Sequence, residues 1–504
     1  MTPRDPHWLG VDNGSTVTKA AVFDAEGHEI AVAARRAAVR SPQVDQAERD
    51  PERSWRDTAD CIREAIAQAG IPPEAIAAVG CTGYGNGLHL LDAAGRAVRP
   101  LIGSGDTRAR AWVDRQTASG AASAILPHTA QSLWAGQPPA LLAWLREHEP
   151  AALAAARHAV AMKDVMRIAL VGEIAAEITD ASATSMMSVV ERRHEPAVLE
   201  LLGLGECGRL MPPLVESTAI AGQVHRAAAT ETGLAAGTPV AGGLFDIDAC
   251  LLAAGITDES AIGVAAGTWG NTLSLATRPV TDGSLFMTSC GPEPGSFVLL
   301  EGSPTSAGNL DWFTRTFLPD LSADSGHAAA GGIDALVGSI EPSERDPFFL
   351  PFVTGSFGGG RATGGFLGLE AQHTQAHCLR AVLEGIAFGH LWHMQRLLLH
   401  RPAPAAVRLT GGIGRLQSWG QLFADALGLP VEVPAGRELG AFGAAILAAT
   451  AAGHGPLPAA VARMTRIDRV FEPVASRSRL LEARFARFTQ ALDALAPWWA
   501  SSPT

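Results

Sequence analysis

A short polar run near the amino terminus holds residue types that could bind a nucleotide. Asp12, Ser15 and Thr16 lie in the run DNGST, and Lys19 follows three residues after Thr16. In a tight turn, glycine lets backbone N–H groups approach phosphate oxygens, both hydroxyls donate hydrogen bonds, lysine offsets charge, and the carboxylate can hold Mg²⁺ through water. The run therefore predicts a loop that binds a polyphosphate with its metal. The alternative is a hairpin turn in which Asp12 satisfies local backbone groups.

A second run of small and hydroxyl-bearing residues lies near the middle of the chain and contains Gly267, Thr268 and Asn271. The stretch that begins at Gly263, GVAAGTWGNTLSLA, resembles the stretch GVDNGSTVTKAAVF that begins at Gly10. Each reads as a strand, a small-residue turn and a strand, which indicates two related domains. Two such loops facing each other would clamp ATP, although the second run alone is also typical of an ordinary hairpin turn.

A glycine pair, Gly411 and Gly412, follows the apolar segment 406–410 and precedes a helical pattern that starts near Trp419. A glycine loop between a strand and a helix could let adenosine lie flat against the backbone. The chain contains neither G-x-x-x-x-G-K-[ST] nor G-x-G-x-x-G in a strand–helix–strand context. Neither a P-loop nor a Rossmann dinucleotide site is therefore supported.

Two carboxylates, Asp246 and Asp248, lie close to an expected domain boundary at Gly243. A sugar hydroxyl is a poor nucleophile at neutral pH, so a carboxylate within hydrogen-bonding reach can accept its proton as the bond to the γ-phosphate forms. One of the two is therefore a candidate general base. The alternative is that both are solvated loop residues or helix caps.

Two other polar segments could contact a polyhydroxylated ligand. Tyr84, the chain's single tyrosine, and Asn86 follow a predicted buried strand over 76–81, and Asp106 lies in another polar loop. Together with Phe245, which precedes the candidate base, these residues are the candidate substrate contacts. The same segments are also compatible with turn chemistry alone.

The elements that would position these residues show regular patterns. The opening predicts an antiparallel meander, and the following segment predicts a helix that begins at Pro51 and ends at Gly70. The meander strands cover 8–12, 17–23 and 28–34. Helical stretches broken by short polar segments are predicted over 139–161 and 164–170, and an amphipathic helix is predicted over 374–399.

Length and composition limit the possible classes of protein. A chain of 504 residues exceeds the usual size of one hydrophobic core, so we expect two domains, 1–243 and 244–504, with a cleft between them. The hydrophobic content of 47% and the charged content of 18% are those of a well-packed globular protein. With a net charge of −12 and scattered basic residues, neither nucleic acid nor a membrane is an expected partner.

Targeting and cysteine signals are also weak. The start of the chain has no charged segment followed by an apolar one, and no apolar run approaches 18 residues, so we expect a cytoplasmic protein. Six cysteines lie far apart without a C-x-x-C pair, which argues against a zinc site or a disulfide framework. The sequence leaves the oligomeric state open, with a homodimer as the commonest prior.

Taken together, these segments and their order resemble the FGGY carbohydrate kinases from Gly10 to about Ala448. The run GGFLGL at 364–369, followed by His377 and Glu384, is similar to the C-terminal pattern of that family. The chain departs from the family where Cys378 replaces an aliphatic residue and where Val171 replaces a threonine.

The resemblance implies an α/β protein with the actin-like ATPase (ribonuclease-H-like) fold, in which two similar domains close on Mg·ATP and a small sugar. It implies that Asp246 alone is the catalytic base. Its further implications are that Asp12 holds Mg²⁺, that Ser15, Thr16 and Lys19 form the first phosphate loop, that Gly267, Thr268 and Asn271 form the second, and that Gly411 and Gly412 belong to the adenosine pocket.

The sugar itself is harder to predict. The segments 303–313 and 133–136 are most similar to the L-xylulose kinase branch of the family, whereas the Gln-Met-His usual in xylulokinases is absent at 83–87. A ketopentose such as L-xylulose or D-xylulose is therefore the expected substrate. The alternatives are a polyol kinase of the erythritol, pentitol or glycerol type and a non-catalytic actin-like nucleotide-binding protein.

Overall fold

The computed structural model describes residues 6–267, 269–321, 327–357, 362–411, 416–436 and 438–501. Thr268 and Gly412 lie outside the described residues. Two compact units make up the chain, and each combines segments that are distant in sequence. The first contains Met1–Thr257, Leu275–Leu299 and Gly436–Arg466, and the second contains Asp258–Ser274, Leu300–Ala435 and Ile467–Thr504. Segments of the two units alternate along the chain. The division into two domains, 1–243 and 244–504, therefore stays a prediction.

The strands, numbered in chain order, are β1 (His7–Asn13), β2 (Val17–Phe23), β3 (Glu29–Arg36), β4 (Val39–Arg40), β5 (Glu48–Arg49), β6 (Ile76–Gly83), β7 (His89–Leu91), β8 (Leu101–Ile102), β9 (His158–Val160), β10 (Ala176–Glu177), β11 (Met187–Ser188), β12 (Arg193–His194), β13 (Leu214–Val215), β14 (Ile220–Gln223), β15 (Pro239–Ala241), β16 (Leu244–Phe245), β17 (Ala261–Ala266), β18 (Gly270–Ala276), β19 (Met287–Cys290), β20 (Phe297–Ser303), β21 (Phe348–Leu350), β22 (Gly365–Leu367), β23 (Ala406–Thr410), β24 (Val431–Pro434) and β25 (Ile467–Phe471).

The α-helices are α1 (Pro51–Ala69), α2 (Arg110–Ser119), α3 (Ala121–Thr129), α4 (Pro138–His148), α5 (Pro150–Ala155), α6 (Met162–Val171), α7 (Ile178–Ser182), α8 (Pro196–Leu201), α9 (Arg226–Thr232), α10 (Asp246–Ala253), α11 (Gly308–Phe317), α12 (His327–Gly338), α13 (Gln375–Leu397), α14 (Gln417–Leu427), α15 (Leu439–Ala451), α16 (Leu457–Met464) and α17 (Ala475–Ala500).

The main sheet of the first unit begins with the predicted meander, because β1 pairs antiparallel with β2, and β2 with β3. Strand β1 also pairs in parallel with β6, and β6 pairs in parallel with β15 and β16. The register places Asp12 and Leu244 beside the same residue of β6, Thr82. Since the carboxyl ends of parallel strands meet at one edge of a sheet, the segments after β1, β6 and β16 lie together.

Helix α1 begins and ends where the sequence predicts. The carboxylate of Asp50 caps it by accepting a hydrogen bond of 2.9 Å from the backbone N–H of Arg53, and Pro51 occupies its first position. Gly70 ends it in the left-handed conformation with φ of 65°. These local signals fix the helix that covers β2 and β3.

Helix α15 lies directly against β1 and β6. A methyl group added at Gly10 would overlap the carbonyl oxygen of Ala441, and one at Gly80 would overlap that of Ala444. Glycine at these two positions lets the helix and the sheet approach more closely than side chains would allow. The first turn of α15 is thereby brought next to the carboxyl end of β1.

The second unit repeats this arrangement. Strand β17 pairs antiparallel with β18 and in parallel with β23, as β1 pairs with β2 and β6 in the first unit. Strand β23 pairs in parallel with β24, which pairs antiparallel with β25. The hairpin repeat predicted from the two similar stretches is therefore confirmed. The core of this unit contains the fully buried rings of Phe388, Trp419 and Phe423.

The broken helical stretches predicted over 139–161 are confirmed in part. Helix α4 ends at His148 and α5 covers Pro150–Ala155, but the remaining segment forms β9, which pairs antiparallel with β7. Pro150 explains the break between the two helices, since the residue before a proline is disfavoured in the helical conformation and proline offers no N–H to continue the ladder. The helical prediction is wrong for His158–Val160.

The cysteines and the helices bear on two expectations from composition. All six cysteines are free, and four of them are buried. Across the described ranges, no helix is both long and apolar enough to cross a membrane.

Candidate active site

Asp12 lies at the carboxyl end of β1, opposite Lys19 in the β1–β2 register. Its Oδ1 is buried and has no hydrogen-bond partner among the described residues. Burial raises the pKa of Asp12 to about 6, an effect that Lys19 opposes and Glu438 strengthens. An unpartnered carboxylate oxygen in a desolvated position suits a hard cation, so the residues present fit Mg²⁺.

Lys19 forms an ion pair with a residue that no pattern in the sequence indicates. Its Nζ lies 2.5 Å from Oε2 of Glu438, which immediately precedes α15. Both side chains keep some solvent exposure, 30% for Lys19 and 20% for Glu438. The pair lies 419 positions apart in the chain, so no local pattern could have predicted it. Glu438 therefore shares the lysine that we assigned to phosphate.

Arg49 stabilises the turn between β1 and β2 by donating hydrogen bonds to its backbone carbonyl groups. This buried guanidinium donates a 2.9 Å hydrogen bond to the carbonyl oxygen of Gly14 and a second bond to that of Ser15. The side chains of Ser15 and Thr16 are exposed. The carbonyl groups of the loop are thus held by the protein while its hydroxyl groups face solvent.

Asp246 is the first residue of α10 and follows β16 directly. Its pKa is raised well above the ordinary value, first by burial and then by the charges of Asp12 and Asp180, while Lys163 opposes the shift. The strand register and this electrostatic interaction bring the candidate base and the candidate metal ligand, Asp12, to the same edge of the first sheet.

A fully buried lysine, Lys163, lies close enough to the candidate base Asp246 for its charge to act on it. Lys163 Nζ is 2.9 Å from Asp180, 3.2 Å from Glu177 and 3.4 Å from Asp164. Burial alone would lower its pKa, but the three carboxylates outweigh burial and raise it. Burial raises the pKa of Asp180 to about 7 despite Lys163, with Asp164 and Glu177 adding to the shift. The cluster therefore holds more acid groups than one lysine can neutralise.

Asp248 is not a solvated loop residue, which was one alternative to a role as general base. It is fully buried in α10, and neither carboxylate oxygen has a hydrogen-bond partner within the described part of the chain. Burial, followed by the charges of Glu177, Asp180 and Asp246, raises its pKa well above the ordinary value. Its surroundings therefore favour the protonated form of the Asp248 carboxyl group.

The candidate sugar contacts fall into two groups. Tyr84 is buried, and its hydroxyl lies 3.1 Å from Nε2 of His89, so part of its hydrogen-bonding capacity is already used. Asn86 has a positive φ of 62°, and its buried Oδ1 lacks a partner among the described residues. The edge of the Phe245 ring packs against Gly85, where a methyl group would lie 2.8 Å from Cδ2.

Asp106 is hydrogen-bonded both to its own loop and to the segment that contains Ala47. Its carboxylate accepts hydrogen bonds of 2.8 and 2.7 Å from the guanidinium of Arg108 and one of 2.7 Å from the backbone N–H of Ala47. The side chain has no exposed surface. This geometry favours a role in holding two loops together, and a contact with sugar stays a prediction.

The described candidates of the second unit lie at one edge of its sheet. The β17–β18 register pairs Ala265 with Asn271, and the backbone N–H of Gly267 donates a 3.1 Å hydrogen bond to Trp269. Gly411 follows β23 with φ of 101°, and a methyl group there would lie 2.8 Å from the carbonyl oxygen of Ala266. Gly267, Asn271 and Gly411 are therefore neighbours.

The repeated hairpin unit, the small-residue loop in each copy and the buried acids of the first unit define a class of protein. It is a phosphotransferase of the actin-like ATPase fold, and a solved structure supports the assignment. The xylulose kinase from Rhodospirillum rubrum superimposes with a TM-score of 0.89 at 26% sequence identity, and the alignment covers 98% of this chain and 100% of that chain.

The chain belongs to the FGGY family of carbohydrate kinases. The model of the family's N-terminal domain matches residues 7–253, and that of its C-terminal domain matches residues 263–452. The L-xylulose/3-keto-L-gulonate kinase of Escherichia coli (strain K12) is 35% identical, with 97% of each chain covered. The probable L-xylulose kinase of Pasteurella multocida (strain Pm70) is 36% identical over 88% of this chain and 90% of that protein. The protein is thus a sugar kinase, and the family uses ATP as phosphate donor.

Proposed function

We propose that the protein transfers the γ-phosphate of ATP to a terminal hydroxyl of a ketopentose, with L-xylulose as the first candidate. The observation that carries this proposal is the position of Asp246, a desolvated carboxylate at the start of α10 and at the same sheet edge as Asp12. The choice of sugar is supported by the 35% identity with a kinase named for L-xylulose.

In this mechanism Asp246 accepts the proton of the sugar hydroxyl as its oxygen bonds to the γ-phosphorus. The bond between that phosphorus and the bridging oxygen breaks, ADP leaves, and the proton stays on the Asp246 carboxyl until product release. A general base must be ionised to accept a proton. Because the pKa of Asp246 is raised, kcat/KM is expected to rise with pH through that raised value.

The other assigned residues bind and neutralise the nucleotide. Asp12 would hold Mg²⁺, which when bound supplies positive charge against the phosphate oxygens. The exposed hydroxyls of Ser15 and Thr16 are placed to donate to phosphate, and Lys19 adds charge that it shares with Glu438. Their combined effect is positioning and charge neutralisation, which dominate catalysis of phosphoryl transfer.

Within the second unit, Gly267 and Asn271 are proposed to contact phosphate, and Gly411 to contact adenosine. Their support is the repeat of the hairpin unit and the close approach of Gly411 to the backbone of Ala266. Tyr84, Asn86 and Phe245 are proposed to contact the sugar. We place the reaction in the cytoplasm, where ATP is available, and take a homodimer as the assembly to test.

The test is ADP production with Mg·ATP and a panel containing both xylulose enantiomers, other ketopentoses, aldopentoses, erythritol, pentitols and glycerol. We expect strongest turnover with L-xylulose. In Asp246→Asn, kcat should fall by at least about 10²-fold, the usual effect of losing a general base. The matched control is Asp248→Asn, because Asp248 is buried two residues away and its raised pKa favours the uncharged form, so an amide of the same size should keep most activity.

Either of two results would overturn the proposal. The first is an Asp246→Asn variant that folds normally and turns over at nearly the wild-type rate. The second is a wild-type protein that hydrolyses or binds ATP without phosphorylating any sugar of the panel, which would favour a non-catalytic nucleotide-binding protein.

A further inference from the structure

A buried histidine of α13 hydrogen-bonds to the outgoing strand of the hairpin proposed as the second phosphate loop and to Ser306, which lies just before α11. His390 is 2% exposed, its Nδ1 lies 3.1 Å from Oγ1 of Thr272, and its Nε2 lies 3.0 Å from Oγ of Ser306. Thr272 and Ser306 are themselves almost completely buried. Each ring nitrogen therefore has one hydroxyl partner, and a neutral imidazole can donate to one and accept from the other.

One hydroxyl partner belongs to the hairpin, and the other lies next to a residue that bonds to the loop. Thr272 follows Asn271 in β18, so its bond to His390 holds the outgoing strand. The backbone N–H of Ala307, next to Ser306, donates a 2.8 Å hydrogen bond to the carbonyl oxygen of Gly267, which holds the incoming side. The imidazole thus bonds to one end of the loop directly and is linked to the other end through Ser306 and the backbone of Ala307.

The hairpin also requires a small residue where it passes the imidazole. A methyl group at Gly270 would lie 3.1 Å from Cε1 of His390 and 3.0 Å from Cβ of Ser306. Contacts this short are rare for real side chains. The loop backbone and the imidazole are therefore in van der Waals contact as well as linked by hydrogen bonds.

We propose that His390 is a positioning residue that holds Gly267 and Asn271 of the second phosphate loop in the conformation that binds ATP. The inference rests on the proposed role of that loop in nucleotide binding. His390 itself touches no substrate, since its two nitrogens are occupied and its side chain is buried. Burial also lowers its pKa to about 3, so the imidazole stays uncharged at any pH at which the enzyme would work.

A purely structural role is the competing explanation, because His390 also packs 5.6 Å from the ring of Phe423. The chain offers a matched control one helical turn further on. His393 is equally buried, and its nitrogens lie 3.1 Å from Oγ of Ser303 and 3.2 Å from Oε2 of Glu301. It lies on the same helix, one of these partners is likewise a hydroxyl while the other is a carboxylate, and both belong to β20.

The experiment compares His390→Leu, His390→Gln and His393→Leu in the full chain. Calorimetric titration with Mg·ATP and Mg·ADP gives nucleotide Kd without any need for sugar turnover, and steady-state kinetics give KM for ATP and sugar. We expect His390→Leu to raise nucleotide Kd by about 10-fold, as expected for two lost hydrogen bonds that position a binding loop. Sugar KM should change less than about twofold. His390→Gln, whose amide can donate and accept, should recover most of the affinity.

For His393→Leu we expect a lower Tm with an unchanged nucleotide Kd. Equal effects of His390→Leu and His393→Leu on Kd, or a wild-type Kd in His390→Leu, would overturn the inference. If His390→Leu does not fold, Thr272→Val and Ser306→Ala each remove one of the two hydrogen bonds of His390 and should each raise Kd by about threefold. Unchanged Kd in both would be equally decisive against it.

The same measurements separate this inference from the proposed function. A wild-type protein that binds nucleotide but phosphorylates no sugar would end the proposed function, and the Kd comparison would still decide the role of His390. A wild-type protein that binds no nucleotide would overturn both.

Discussion

Gly440 provides a sharp test of how the carboxylate of Asp12 is positioned. It is the second residue of α15, and a methyl group added there would lie 2.9 Å from Cγ of Asp12 and still closer to its Oδ2. Helix α15 cannot easily move away from Asp12, because its backbone is already in close contact with β1 at Gly10 and with α10 at Gly443. In Gly440→Ala the carboxylate of Asp12 is therefore the group that moves.

The size of the effect follows from these distances. Ordinary contacts of a Cβ begin at 3.4 Å, so the carboxylate must shift by about 0.5 Å or more, within the range where a misplacement of about 1 Å costs about 10²-fold in rate. We expect kcat/KM for Mg·ATP to fall at least about 10-fold. The Mg²⁺ concentration for half-maximal activity should also rise, because Asp12 is the proposed ligand.

Stability should move little. Replacing a helical glycine by alanine gains up to about 1 kcal/mol in helix propensity. An Asp12 side chain forced from its preferred rotamer costs a similar amount, about 0.5 to 1.5 kcal/mol. The two effects nearly cancel, so Gly440→Ala should separate activity from stability.

The assay is steady-state kinetics over a Mg²⁺ series, combined with thermal unfolding of the same preparation. Gly331→Ala is the control, because Gly331 is an exposed glycine in α12 with no atom within 4 Å of the added methyl group. It should keep full activity. Full activity in Gly440→Ala would refute the reasoning, and a large loss of Tm there would show that α15 had moved instead.

Three further predictions concern the first unit. Lys163→Met should reduce the free energy of unfolding in urea by about 3 to 5 kcal/mol, because it removes the cation that pairs with the buried carboxylates of Glu177 and Asp180, whereas Asp164 keeps its ion pair with Arg167; a loss below about 1 kcal/mol would contradict the ion-pair geometry. Gly85→Ala should displace the Phe245 ring and raise sugar KM while nucleotide Kd stays constant, and an unchanged sugar KM would remove Phe245 from the sugar site. Burial lowers the pKa of His89 to about 4, below its unfolded value of about 6.5, so its contribution to stability is complete above pH 6.5 and is lost as pH falls. Relative to His89→Gln, the wild type should lose about 3 kcal/mol between pH 6.5 and 4, and a pH-independent difference would show that His89 does not titrate.

Local signals explain why part of the site was predictable. The turn after β1 brings Asp12 opposite Lys19 because a hairpin with Gly14 near its tip fixes that register. Helix α1 was bounded correctly because Pro51 and Gly70 act through their own backbone preferences. In both cases the deciding interactions lie within a few residues, so the sequence alone contains them.

Long-range contacts explain what the sequence did not show. Glu438 reaches Lys19 only because α15 packs on β1. Arg49 reaches the carbonyl of Gly14 only because β5, which contains Arg49, lies next to the turn between β1 and β2. Neither residue belongs to a motif, and nothing near it in sequence suggests its partner. Such residues become visible only when the sheet and its covering helix are both placed.

The pair Asp246 and Asp248 shows where reasoning from spacing fails. Residues two apart on a helix do not share a face, so one acid can lie at the site edge while the other is buried in the core. Asp248 is fully buried, close enough to Glu177 and Asp180 for their charges to act on it. A solvated loop was the reasonable expectation for an isolated D-x-D, because its neighbours Glu177 and Asp180 come from a distant part of the sequence.

Buried acids and buried histidines act on stability in opposite directions over the same pH range. Burial raises the pKa of Asp12 to about 6 and of Asp180 to about 7, so their contribution is complete below about pH 3.8 and is lost as pH rises through those values. His89 and His390, whose pKa values burial lowers to about 4 and about 3, lose theirs as pH falls from about 6.5. Between about pH 4 and 6.5 the two sets largely offset each other, so the wild-type stability profile should be flatter than either set alone would give. The contribution of His89 must therefore be measured as a difference between variant and wild type at each pH.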